Sequence, residues 1–211
     1  MATRNTSKTK TLTAAQRASL KLLLRGECSH ELEESVMDEF LSLGSVVSYK
    51  RGEVICRAGT LDRNIYIIIE GIICRWRWND SKETVDTFAL PGTLFTEYHC
   101  YYAGKESHAF FEACCPTLLL KVPAREYDEL INRSHEFAKW CLCMAQCQLY
   151  TYEIREINLN GSVRDRYMTL MGHRPDIIRQ VPLRTIAAYL GVSPQYLSTL
   201  RTKWLMKGGK D

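Results

Sequence analysis

Leu183–Thr202 reads LRTIAAYLGVSPQYLSTLRT. Two helices that cross at a tight turn need a small residue where they touch, and Ala187 stands there. Four positions later the turn needs a residue that tolerates an unusual backbone, and Gly191 stands there. Ile186, Leu190, Val192, Leu197 and Leu200 supply the apolar packing between the helices. Ser193 is placed as N-cap of the second helix, with Pro194 at its first position, where the missing N–H is no loss. An unrelated helical hairpin would not require all these positions at once, so the stretch predicts a helix-turn-helix.

Such a unit lays the N-terminal part of its second helix in the DNA major groove. The outward positions there are Ser193, Pro194, Gln195, Tyr196, Ser198 and Thr199. Gln195 suits a bidentate pair with adenine. Ser198 and Thr199 suit base edges or phosphates. Arg201 and Lys203, further along, suit phosphates, and Arg184 suits a backbone contact at the start of the first helix. Tyr196 is equally suited to packing. Residues 160–211 hold nine Lys/Arg and three Asp/Glu, a balance of +6, whereas the rest of the chain holds 19 and 21, a balance of −2. This asymmetry points to a nucleic-acid-facing C-terminal quarter.

Upstream, residues 1–12 are polar and basic and read as a disordered arm. Helices are predicted over 13–25 and 31–43. From Ser45 the pattern becomes short β-branched and aromatic runs: VVSYKRGEVICRAG, NIYIIIEGIICRWRW, ETVDTFALPG, HAFFEACC and TLLLKVP. Gly52, Gly59, Gly71 and Gly92 sit at tight turns, so an antiparallel sandwich or barrel is expected. A short helix follows at 123–130. His135 to about Asn158 then runs helical without Gly or Pro, with a stripe of Phe137, Cys141, Met144, Gln148 and Thr151 that is either core or a dimer seam. Helical pieces over 163–173, 181–190 and 194–205 complete the chain, with a loop at Pro175.

Nine cysteines form no C-x-x-C pair. They read as reduced thiols acting as small hydrophobes. In the Cys141, Cys143, Cys147 run only Cys143 and Cys147 share a helical face, which is poor metal geometry. No nucleophile elbow or phosphate loop indicates an enzyme. No apolar run approaches the roughly 18 residues that span a bilayer. The opening MATRNTSKTK lacks the apolar stretch of a signal peptide, so a cytoplasmic chain is expected.

The order of parts resembles the Crp/Fnr (cyclic-AMP receptor protein) family of bacterial regulators. Gly52, Gly59, Tyr66 and Gly71 in YKRGEVICRAGTLDRNIYIIIEG carry the resemblance, together with IAAYLGVSPQYLSTLR; the compact C-terminus resembles members from Bacteroidetes. The resemblance implies a cyclic-nucleotide-binding jelly roll and a homodimer through the long helix. It also implies palindromic double-stranded DNA sites and RNA polymerase as a partner. Two departures stand out. Thr199 occupies a position where many members carry an Arg that contacts guanine, and Pro194 replaces a residue that is often charged. In PGTLFTEYHCYYAGKESHAF (91–110) lies the family's cyclic-phosphate cassette. Glu97 matches its Glu and Ala109 its Ala, but Thr96 replaces Gly, Ser107 replaces the phosphate-binding Arg and His108 the Ser/Thr. Lys105 lies two residues away. A buried phosphate without its cation is costly.

The expectation is therefore an α+β chain. It has an arm (1–12), a cyclic-nucleotide-binding-like jelly-roll sensor (13–134), a dimer helix (135–158) and a helix-turn-helix domain (159–211). Its function is that of a dimeric transcription regulator whose sensor has lost cyclic-nucleotide binding. The alternative is the same regulator with a working ligand site at Glu97, Tyr98, Ser107 and His108, or a cysteine-based redox sensor. The iron–sulfur members carry an N-terminal cysteine cluster, whereas here Cys28 is alone in the first 50 residues. No cofactor, metal, catalytic residue or membrane association is expected.

Overall fold

The computed structural model describes residues 10–27, 29–80, 82–159 and 161–207; over 155–159 and 204–207 it describes the backbone alone. Helix α1 (Ala14–Glu27) begins at a reciprocal capping box: Gln16 N–H donates to Thr13 Oγ1 at 3.2 Å, and Thr13 N–H donates to Gln16 Oε1 at 3.0 Å. Helix α2 (Glu34–Ser42) lies beside it, tied by ion pairs of Lys21 to Asp38 (2.7 Å) and Arg17 to Asp38 (3.1 Å).

Eight strands follow: β1 (Ser45–Tyr49), β2 (Val54–Cys56), β3 (Ile65–Glu70), β4 (Ile73–Asn79), β5 (Lys82–Ala89), β6 (Leu94–Phe95), β7 (Phe110–Ala113) and β8 (Thr117–Val122), with the one-turn helix α3 (Tyr98–Tyr101) between β6 and β7. They form two four-stranded antiparallel sheets, ordered β1-β8-β3-β6 and β2-β7-β4-β5. Helix α4 (Ala124–Arg133) leads into the long α5 (His135–Leu159). The C-terminal helices are α6 (Val163–His173), α7 (Pro175–Gln180), α8 (Leu183–Leu190) and α9 (Pro194–Lys207).

Strand β3 explains the layering. Its run IYIII is buried at every position because both of its faces are covered. Tyr66 and Ile68 face the sandwich interior with Phe95, Phe111 and Leu119. Ile65, Ile67 and Ile69 face a helical layer that contributes Leu20, Leu24, Phe40, Phe137 and Trp140. Alternation in polarity is lost where a strand has two buried sides. Gly71 closes the β3–β4 turn at φ 93°, and a Cβ there would lie 2.6 Å from the Pro116 carbonyl oxygen. Gly52, Gly59 and Gly92 also have positive φ.

Two expectations need correction, and of the two roles left open for the α5 stripe the structure shows the core one. Residues 1–9 of the supposed arm lie outside the described residues, but Lys10–Leu12 is placed. Val46 N–H donates to the Lys10 carbonyl at 2.6 Å, and Leu12 packs on the helical layer, because edge strand β1 offers a free backbone donor. The loop at Pro175 is helix α7, with Pro in its first turn. The stripe Phe137–Thr151 on α5 faces the sandwich, where Phe137 and Met144 are buried. The outward side of α5 carries Leu142 and Leu149, 60% and 62% exposed, and Tyr152, 48% exposed, lies where that side meets the cavity-facing one. The expected helix stop at Asn160 and the lone Cys28 fall outside the described residues.

Candidate functional site

A cavity of about 560 Å³ opens between β4, β5, the 94–99 segment and α5. Of the four expected ligand residues, Glu97, Tyr98 and His108 line it; Ser107 does not. The Ser107 hydroxyl is held in a local turn, donating to the Ala109 carbonyl at 2.7 Å and accepting from Ala109 N–H at 3.0 Å. It is therefore withdrawn from the cavity. Thr96 is likewise committed, donating to the Asn64 carbonyl at 3.0 Å. The Tyr98 hydroxyl donates to Gln148 Oε1 at 3.2 Å, and burial raises its pKa.

Three further lining residues were not foreseen. Arg75 enters from β4 and pairs with Asp86 and with Glu97 Oε2 at 3.5 Å. The cavity thus holds the Arg75 guanidinium, engaged by two carboxylates of which Asp86 is shared with Arg77, and Glu27 and Arg174 also line it. Gln148 donates to the Leu94 carbonyl at 2.6 Å, tying α5 to the cavity rim. His99 lies against His108 with ring centroids 4.1 Å apart and planes tilted by 40°, and its Nδ1 donates to the Glu106 carbonyl at 2.8 Å. Gln148 had a legible signal, since it is a polar residue inside the buried stripe of α5. Arg75 had only its alternation with Trp76 in CRWRW.

The thiols are dispersed through the packing. Cys56 is buried in the sandwich, where burial pushes its pKa up to about 12. Cys74 and Cys114 lie on the outer face of the second sheet, and the adjacent Cys114 thiol and burial raise the Cys74 pKa further. Cys141 accepts from the Tyr127 hydroxyl at 3.1 Å. Among the described residues no group of three or more His, Cys, Asp or Glu is placed to hold a metal ion.

The C-terminal unit is built as its sequence demands. Ala187, Ile186, Leu190 and Leu197 are buried at the contact of α8 with α9. Gly191 takes φ 73°; its N–H donates to the Ala188 carbonyl and Val192 N–H donates to the Ala187 carbonyl, a Schellman ending. Ser193 Oγ caps α9 by accepting from Tyr196 N–H at 3.1 Å. Ser193, Pro194, Gln195, Tyr196, Ser198, Thr199 and Lys203 are exposed, as is Arg184; Arg201 is half-buried. The Thr199 hydroxyl donates to the Gln195 carbonyl at 3.0 Å, so its free valence is an acceptor.

Residues 46–134 match the cyclic nucleotide-binding domain. No curated protein matches the chain. Among solved structures the chain is similar to CLP of Xanthomonas campestris, a c-di-GMP-responsive global regulator. That match has TM-score 0.68 and 16% identity, and covers 83% of this chain and 93% of CLP. It is also similar to FixK2 from Bradyrhizobium japonicum, with TM-score 0.66 and 18% identity, covering 78% of this chain and 86% of that one. The Thermus thermophilus catabolite activator protein gives TM-score 0.52 and 22% identity, with 88% of each chain covered. None of the described helices is long and apolar enough to cross a membrane. Residues 46–134 are thus a cyclic nucleotide-binding-type domain, in a chain whose fold is similar to those of Crp/Fnr-type regulators.

Proposed function

We propose that the protein is a homodimeric, DNA-binding transcription regulator of the Crp/Fnr type, not an enzyme, whose sandwich domain has lost cyclic-nucleotide binding. The observation that carries the DNA reading is the exposed N-terminal face of α9, with Gln195, Ser198 and Thr199 beside Arg201 and Lys203 on a capped helix. That face suits base edges followed by phosphates. Arg184 adds a cation at the start of α8. Leu142, Leu149 and Tyr152 on α5 suit the seam of a two-fold dimer, which sets two α9 helices on half-sites of a palindrome.

Loss of cyclic-nucleotide binding is supported by charge. Ser107 stands in the cassette's cationic position, and Arg75 is already matched by Asp86 and Glu97. A cyclic phosphate placed at Arg75 would compete with carboxylates that already engage that guanidinium, with Glu97 beside it. Selection of sites from random duplex DNA tests the function, and palindromic sites are expected. Failure to enrich any sequence, or a monomer by light scattering at micromolar concentration, would overturn it. Cyclic AMP at millimolar concentration is expected to leave the melting temperature unchanged. A saturable rise would instead favour the second reading, a working nucleotide sensor, which the size of the 560 Å³ cavity supports.

A further inference from the structure

A second cavity, of about 250 Å³, lies where the end of β5 meets α5 and the C-terminal helices. Phe88 and Leu90 of the sandwich side face Leu170 and Ile177 across it. Its basic lining residues are Arg166, His173 and Arg174; among the described residues that line it there is no carboxylate. Arg166 Nη2 donates to the Leu190 carbonyl at 3.1 Å, but its Nε is shielded from solvent and has no hydrogen-bond partner among the described residues. Arg166 makes none of the ion pairs found there either. A guanidinium stays charged at any accessible pH, so the shielded Nε–H of this half-buried side chain carries the cost of an unmatched donor.

The larger cavity shares Thr87, Phe88, Thr151 and Arg174 with this one, but its other guanidinium, Arg75, is matched by carboxylates, whereas Arg166 is not. We propose that the smaller cleft binds a small amphiphilic monocarboxylate. Its acid group accepts from Arg166 and Arg174, and its apolar body lies against Phe88, Leu90 and Leu170. A carboxylate matches a guanidinium fork in plane and charge. The cleft, of about 250 Å³, is of a size that suits a short aliphatic or aromatic acid. Because the walls come from both the sandwich and the C-terminal helices, the bound acid bridges the two.

Calorimetric titration of the full chain with hexanoate and with its neutral analogue hexanamide tests the site. No DNA is present, so the result stands apart from the DNA-binding reading. Hexanoate is expected to saturate at one per chain, and hexanamide to bind at least tenfold more weakly. Arg174→Gln, at an exposed position, is expected to keep the wild-type melting temperature and to weaken hexanoate tenfold or more. Arg166→Gln should do the same to binding; if loss of its bond to Leu190 unfolds the chain, Arg174→Gln, the amide and the methyl shifts together still decide, since Arg174 borders both cavities. Methyl NMR places the ligand: shifts at Leu170 and Ile177 are expected. Absence of saturation, equal binding of acid and amide, or shifts confined to Ile73 and Met144 of the larger cavity would overturn the proposal.

Discussion

The two outer faces of the sandwich are sealed by different means. The β1-β8-β3-β6 sheet is covered by α1, α2, α4 and α5 through large, fully buried side chains. Phe40, Phe137 and Trp140 form an aromatic cluster on it with ring centroids 4.9–5.7 Å apart. The β2-β7-β4-β5 sheet is covered by the C-terminal helices through thiols, Val85 and half-buried rings such as Phe88 against Tyr189. Its polar ties are exposed and long: Lys82 Nζ to the Gly191 carbonyl at 3.3 Å and Arg51 to the Gln180 carbonyl at 3.4 Å. One face is the core of a domain, whereas the other has the character of an interface between domains.

The comparison is broken most strongly at Phe40. Phe40→Ala is expected to cost about 3–5 kcal/mol, the range for emptying a buried aromatic site. Chemical denaturation should show the sandwich and its helical layer unfolding together at lower denaturant. Ala187→Leu tests the other side. The residue is fully buried at the α8–α9 contact, and overpacking there costs about 1–3 kcal/mol. The C-terminal helices are expected to melt first, in a separate transition, while the sandwich keeps its own.

The domain frame was more legible than the joint between domains. Strands, turns, the long helix and the α8–α9 unit follow from local signals: Gly71 at a forced φ, Ser193 as a cap, Ala187 at a contact. The joint was not legible because its residues have no local signature. Val85, Phe88 and Cys74 read as an ordinary strand face, and only the fold shows which partner covers them. The same holds for the cavities. The cassette position located Glu97, Tyr98 and His108 by chain order, but Arg75 reaches them across two strands. Ser107 reads as a ligand residue from its place in the sequence, whereas its hydroxyl closes a two-residue turn.

Phe88→Ala sharpens the contrast at lower cost. The ring is half-buried, so a loss of about 1–2 kcal/mol is expected, below the range for a fully buried aromatic. Global melting should shift by only a few degrees, while limited proteolysis should release the C-terminal helices sooner. Equal protection of variant and wild type would mean that the seam does not depend on this contact.

The smallest effect is electrostatic and sits at Glu112. Its Oε2 accepts from Trp76 Nε1 at 3.1 Å on the covered sheet. Burial raises its carboxyl pKa above the ordinary 4.5 and Glu83 adds to this, while Trp76 and Arg184 oppose it. A raised carboxyl pKa means that folding favours the protonated form. That stabilisation is present below the unfolded pKa and is lost as pH rises through the folded one. At pH 7 the ionised group therefore carries its full cost, so Glu112→Gln should melt higher there. Half-burial and solvent screening keep the gain to about 0.5 kcal/mol, or roughly 1–2 °C. At pH 4 the difference should vanish. If the variant instead melts lower at pH 7, the attraction between Glu112 and Arg184 outweighs the burial cost. The residue proposed to touch DNA would then also be held against the sandwich by charge, and the joint would be electrostatic rather than apolar.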